Sequence, residues 1–232
     1  LIDGAHAPGM VPLDLNALGA AYYAGNCHKW LCAPKGAAFL HVRKDKQQAS
    51  DDQPLIRPLS ISHGANAKLG THKRFRLEFD WTGTDDPTPW LAIPAAIRFL
   101  TDLFPNGLQG LREYNHAMAV AARQWLCATF DTRPPVPDSM IGCLATILLP
   151  EMSDELAGPN AHFGICVLQE RLFAKHSIEV PIIVPSPQLV NWPARFVRIS
   201  AQVWAQPVPL ELLLRTEVDL ETGQVALAEV LG

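Results

Sequence analysis

The chain has 232 residues, 48% of them hydrophobic and 18% charged, with a net charge of −4. That length can bury a substantial core as one large domain or two smaller ones, and the composition excludes a disordered chain. The mildly acidic balance gives no footing for nucleic acid or an anionic membrane as partner, and no apolar run reaches bilayer length. Five cysteines without a regular framework fit a reducing compartment, so the expected location is the cytoplasm.

In chain order, Leu1-Ile2 feeds Asp3-Gly4-Ala5-His6-Ala7-Pro8-Gly9, which reads as the end of a buried strand opening into a turn. Pro12–Gly19 predicts a short helix with Asp14 near its cap. Ala21–Gly25 and Lys35–Arg43 predict strands, and the polar stretch 43–53 a solvated connection. Leu55–Gly64 reads as an edge strand interrupted by Pro58, with His63 a surface or structural histidine. Phe75, Leu77, Phe79 and Trp81 alternate as on a strand with one apolar face. The following Thr82-Gly83-Thr84-Asp85-Asp86 caps a helix over 89–100, with Ile93, Ile97 and Leu100 on one side. A glycine beside a helix start also lets backbone amides approach an anion.

Phe104-Pro105-Asn106-Gly107 breaks that helix and sets a domain boundary, giving domains 1–105 and 106–232. A longer helix over 107–130 is expected to bury Leu108, Leu111, Met118, Ala122 and Trp125. The final domain alternates strands over 139–149, 178–184 and 195–201 with a helix over 161–176, whose apolar side is Ile165, Leu168, Leu172 and Phe173. The tail from Pro209 reads as helix.

Function centres on Gly25-Asn26-Cys27-His28-Lys29-Trp30-Leu31-Cys32-Ala33-Pro34-Lys35-Gly36. Lys29 lies among apolar neighbours, which predicts a half-buried amine. Burial disfavours the ammonium form and suits a lysine to Schiff-base formation and proton transfer. Taken alone, this stretch is better read as a lysine snorkelling from an apolar loop. Cys27 and Cys32 flank His28, but no second cysteine pair answers them at a finger-like spacing, so no metal is expected. In open α/β sheets ligands collect at the carboxyl ends of strands, so Asp3 and His6 face the crevice. An acid, a histidine and a shielded lysine suit pyridoxal 5′-phosphate (PLP), with the lysine as Schiff-base former and the acid on the pyridine nitrogen.

Together the Asp3–Gly9 and Gly25–Gly36 motifs resemble those of the class V aminotransferase group of fold-type I PLP-dependent enzymes, and within it isopenicillin N epimerase-like proteins. The resemblance implies an α/β fold: the rear part of a large mixed-sheet PLP-binding domain followed by a small C-terminal α+β domain. Against that pattern the chain is expected to be a fragment, without the half that supplies a phosphate-binding loop and the aromatic ring that stacks on the cofactor. The resemblance makes Lys29 the Schiff-base lysine that also moves the α-proton. Asp3 would pair with the pyridinium nitrogen and His6 would sit near the phenolic oxygen. Asn26, where the family more often has Ser, and His28 fall at phosphate contacts. Gly83 and Thr84 match a pair that reaches across a homodimer to the partner's cofactor phosphate. In the strand Val197-Arg198-Ile199-Ser200, Arg198 matches an arginine that grips the substrate's α-carboxylate, a task that suits a planar guanidinium fork. The family usually continues to a Tyr-Asn pair; here the chain runs Ala201-Gln202-Val203-Trp204, a departure that bears on substrate identity.

For reaction type, epimerisation at an α-carbon is the first expectation and C–S lysis or transamination the alternative. A non-catalytic fragment that keeps only dimer contacts is the alternative from another class. Desulfurases of this class carry a cysteine on the loop that here reads Pro185–Ala194, which has none, so persulfide transfer is not expected.

Overall fold

The computed structural model describes residues 1–48, 55–60, 63–68, 73–151, 158, 166–183, 195–203, 216–219 and 224–227. The chain divides into two compact units, Leu1–Gly110 and Leu111–Gly232.

In the first unit, β1 (Ile2–Asp3) pairs in parallel with β2 (Tyr22–Asn26), which pairs antiparallel with β3 (Ala38–Val42). Between β1 and β2 lie α1 (Ala7–Met10) and α2 (Leu15–Leu18). The Pro8 and Gly9 dihedrals within α1 are those of a type II turn. Asp14 caps α2 by accepting from the Asn16 and Ala17 amides, and Gly19 ends it in the left-handed region. Tyr23, Cys27, Trp30, Leu31, Ala33, Ala37 and Val42 are buried around this sheet and its loops.

Two expectations fail here. Residues 55–60 form no strand, as befits a stretch whose Pro58 cannot donate to a ladder, while 61–62 lie outside the described residues. The alternating stretch Phe75–Trp81 is not a strand either: α3 (Arg74–Phe79) is a helix. Its helical spacing is satisfied three times over, by the Phe75–Phe79 ring contact at 4.7 Å and by the Arg74–Glu78 and Arg76–Asp80 ion pairs. The helix expected over 89–100 is present as α4 (Thr88–Leu91) and α5 (Ile93–Asp102). Of its expected inner face only Leu100 is buried.

Glu78 is closed off from solvent and accepts two hydrogen bonds from the Arg57 guanidinium, at 2.7 and 2.9 Å, with Arg74 beside it. The Arg57 hydrogen bond chiefly, opposed by burial and helped by the Arg57 and Arg74 charges, holds the Glu78 carboxyl below its ordinary value of 4.5. A carboxyl whose folded-state pKa is depressed stabilises the fold above its unfolded pKa and loses that contribution as pH falls through the folded value. Glu78→Gln is therefore expected to be less stable than the parent at neutral pH. Denaturant titrations in increasingly acid buffer should close that gap below the ordinary carboxyl value, and a gap independent of pH would rule the linkage out.

The second unit is built on α6 (Gly107–Thr129), which begins in the first. Its buried residues are Leu111, Asn115, Ala119, Arg123 and Cys127, a stripe of one residue every helical turn. Leu111 was expected there; Leu108, Met118, Ala122 and Trp125 are only half-buried. The sheet runs β4 (Leu144–Leu148), β6 (Phe196–Ser200), β5 (Ile182–Ile183), antiparallel throughout. Against it packs α7 (Val167–His176), whose Leu168 and Leu172 join Cys127, Ile147, Leu149, Cys166 and Val197 in one core. Phe173 is 60% exposed, contrary to expectation, because one residue past Leu172 is about 100° round the helix. Ile165 and the loop Pro185–Ala194 lie outside the described residues. The tail contains β7 (Thr216–Asp219) and β8 (Gln224–Leu227), an antiparallel pair where helix was expected. Thr216, Val218 and Val225 are β-branched and favour that outcome. Among the described residues no helix is long and apolar enough to cross a membrane.

Candidate active site

Parallel pairing brings two chain reversals to the same end of one sheet. Asp3 stands opposite Ala24, and the Gly4 amide continues the ladder to the Ala24 carbonyl at 2.9 Å. The segments that follow, one starting at Asp3 and the other at Asn26, therefore leave the carboxyl ends of adjacent parallel strands. Asp3 Oδ1 accepts from the Ala5 amide at 3.0 Å, which fixes the carboxylate at the turn. Tyr23, not anticipated from sequence, is 2% exposed, and its hydroxyl fills the space that a Cβ on Gly4 would need. Burial pushes the Tyr23 phenol up, and the nearby Asp3 carboxylate adds to the rise.

The lysine motif closes on itself through its backbone. The Cys27 and His28 amides both donate to the Ala37 carbonyl, at 2.9 and 3.1 Å, and the Ala33 amide donates to the Cys27 carbonyl at 3.1 Å. Lys29 lies half-buried on this turn, with its carbonyl accepting from the Cys32 amide at 3.2 Å. Cys32 takes a left-handed backbone (φ 57) and turns its thiol toward the same carbonyl at 3.4 Å. Burial pushes the Cys27 and Cys32 thiols up, away from thiolate, which suits a structural role for both. Asn26 ends β2 half-buried opposite Ala38, and His28 Nδ1 is 3.0 Å from the Ala37 carbonyl.

Two contacts join the reversals. Gly9 (φ +88) seats against the chain just past Lys29, where a Cβ would come within 2.7 Å of the Trp30 backbone. Only glycine fits that combination of dihedral and approach. The Trp30 indole donates to His6 Nδ1 at 3.4 Å. The first unit thus gathers Asp3, His6, Asn26, His28 and Lys29 on two joined loops. Gly83 and Thr84 lie exposed between α3 and α4, Gly83 at φ +143 with open space around it.

In the second unit, Arg198 sits mid-strand on β6, opposite Thr146 of β4. Val197 beside it is buried, as the alternation predicts, whereas Arg198 is half-buried. Its Nε is closed to solvent and has no hydrogen-bond partner among the described residues, an uncommon state for a guanidinium nitrogen.

No family model matches the chain. Curated relatives do. It is 29% identical over 208 residues to a probable L-cysteine desulfhydrase, chloroplastic, of Arabidopsis thaliana, covering 89% of this chain and 41% of the relative. It is 33% identical over 216 residues to an isopenicillin N epimerase of Amycolatopsis lactamdurans, covering 88% of this chain and 49% of the relative. The chain therefore spans less than half the length of these relatives. Among solved structures, a cysteine desulfurase from Thermococcus onnurineus NA1 superposes with a TM-score of 0.62 at 19% identity, over 91% of this chain and 50% of that one. The fold is accordingly the α/β fold of fold-type I PLP-dependent enzymes, and over most of its length the chain is similar to class V aminotransferase-like proteins.

Proposed function

We propose that this chain carries the lysine and the pyridine-facing acid of a PLP-dependent enzyme that acts at the α-carbon of an amino acid. The observation that carries the reading is the joining of the Asp3–Gly9 and Lys29 reversals at the carboxyl ends of two parallel strands. The donor set fits the cofactor: a primary amine half-shielded on a backbone-closed turn, a carboxylate fixed at a strand end, and imidazoles on both loops. When bound, PLP supplies an electron sink that stabilises negative charge at the α-carbon. Lys29 would hold it covalently and then carry the α-proton. Asp3 would keep the pyridine nitrogen protonated, and His6 would neighbour the phenolic oxygen. Asn26 and His28, with the partner subunit's Gly83–Thr84 in a homodimer, would bind the phosphate.

C–S lysis of L-cysteine is the first reading of the reaction, supported by the desulfhydrase relative. It needs one base at the α-carbon: the α-proton goes to Lys29, the sulfur leaves with the C–S electron pair, and water then releases pyruvate, ammonia and sulfide. Epimerisation is the second reading, supported by the Amycolatopsis relative; it needs proton delivery to both faces of the α-carbon. L-Cysteine supplied with PLP should yield pyruvate and sulfide together if the first reading holds. α-Deuterium exchange without keto-acid release selects the second, and neither product from any amino acid rejects both. The five cysteines, none of them in a disulfide, fit a reducing compartment such as the cytoplasm.

Arg198 would grip the substrate's α-carboxylate, with its Nε, unpartnered among the described residues, as one tine of the fork. Arg198→Lys keeps the charge but loses the paired geometry, so KM for the amino acid should rise by about 10- to 100-fold, the equivalent of a charge-assisted hydrogen bond. Steady-state kinetics on the purified protein measure this; an unchanged KM removes Arg198 from the site.

A further inference from the structure

We propose that Trp30 is a positioning residue that holds His6 as its Nε2–H tautomer, while the Ala37 carbonyl holds His28 as the opposite, Nδ1–H tautomer. An indole N–H can only donate, so the ring nitrogen that receives it must present a lone pair. The Trp30 Nε1 to His6 Nδ1 contact at 3.4 Å therefore puts the single proton of a neutral His6 ring on Nε2. A peptide carbonyl can only accept, so His28 Nδ1, 3.0 Å from the Ala37 oxygen, carries the hydrogen and leaves the lone pair on Nε2.

Both anchors are buried. Trp30 is 8% exposed and Ala37 fully buried, and the Ala37 oxygen also receives the Cys27 and His28 amides. Gly9 closes on the Trp30 backbone and keeps the loop bearing the indole against the turn that follows His6. Ligating and catalytic histidines are commonly oriented in this way, the group on one ring nitrogen fixing what the other can offer.

The chemical consequence rests on the cofactor reading above. The imidazoles on the two joined loops are then not interchangeable. In its neutral form His6 offers Nε2–H as a hydrogen-bond donor, suited to an anionic phenolic oxygen. His28 is an acceptor that can meet a phosphate oxygen only after gaining a second proton. Trp30 makes this difference through its hydrogen bond to His6.

Long-range proton–nitrogen NMR on the 15N-labelled protein without cofactor, at mildly alkaline pH, reads the tautomers directly. His6→Gln and His28→Gln assign the signals. The expected pattern is Nε2 pyrrole-type and Nδ1 pyridine-type for His6, and the reverse for His28. Trp30→Phe should turn the His6 pattern into a tautomer mixture and leave His28 unchanged. An Nδ1–H pattern for His6 in the parent, or a His6 pattern unmoved by Trp30→Phe, overturns the proposal. Should Trp30→Phe not fold, the parent pattern and the Trp30 indole resonance decide: that resonance must shift between the parent and His6→Gln, and an unshifted one overturns the proposal. Adding PLP afterwards keeps the ideas apart, since failure to bind defeats the proposed function while the measured tautomers stand.

Discussion

Replacing Lys29 by alanine is expected to abolish the absorption band of covalently held cofactor and to lower turnover by at least about 10²- to 10⁴-fold, the span for removing a positioned acid–base group. The expectation is specific because the turn that carries Lys29 is closed by backbone groups. The Cys27, His28, Cys32 and Ala33 amides all find carbonyl partners in the loop, and none of those bonds uses the lysine amine. Alanine keeps all of them, so the denaturation midpoint should stay within about 0.5 kcal/mol of the parent, as for a substitution that breaks no buried contact. Lys29→Arg keeps a positive charge but offers a guanidinium, which does not deprotonate in proteins and is a poor Schiff-base former. It should therefore be as inactive as the alanine variant. Cofactor binding and turnover surviving in either variant would remove Lys29 from the chemistry and reject the reading built on it.

What could be read from the sequence was local. Asp14 followed by Asn16, Ala17 and Gly19 writes a cap, a turn of helix and a left-handed exit within a few residues, and α2 has each of them. The two motifs carrying Asp3 and Lys29 are likewise short, and their order in the chain was enough to suggest a shared site. Illegible features depend on partners far away or on competing periods. Phe75, Leu77 and Phe79 satisfy a period of two, but Phe75 and Phe79 also satisfy a helical turn, as do Arg74–Glu78 and Arg76–Asp80. The remote Arg57, holding the buried Glu78, adds a tertiary contact that no window over 75–81 contains. On α6 an apolar-face pattern does not mark Asn115 and Arg123, which lie fully inside the buried stripe. Their partners are Gln202 for the first, and Val136 with Asp138 for the second. Trp30 was visible only as an apolar neighbour of Lys29; its link to His6 follows from the parallel register of β1 and β2.

Arg123 leads to the second large effect, and its direction runs against exposure. The guanidinium is 1% exposed on α6, donating to the Val136 carbonyl at 2.8 Å and to Asp138, whose side chain is 47% exposed. Ordinarily the more exposed member of an ion pair is the cheaper one to remove. Here Asp138→Ala should be the costlier change. Among the described residues it leaves a guanidinium that cannot deprotonate inside the core with the Val136 carbonyl as its remaining acceptor, and Nε already has no partner there. The loss should be about 2 to 3 kcal/mol, just under that for breaking a fully buried pair, because water can reach the vacated outer edge. Arg123→Met removes the charge itself and keeps an unbranched apolar stem among Ala119, Cys127 and their neighbours. It leaves Asp138 half in solvent, where a carboxylate is well hydrated, so its cost should be about 1 kcal/mol or less. The double variant should then resemble Arg123→Met, since Asp138 has little left to do once the cation is gone. Urea midpoints of the parent, both single variants and the double variant form a complete cycle. A larger loss in Arg123→Met than in Asp138→Ala would mean that the stem and its Val136 contact, not the stranded charge, set the cost.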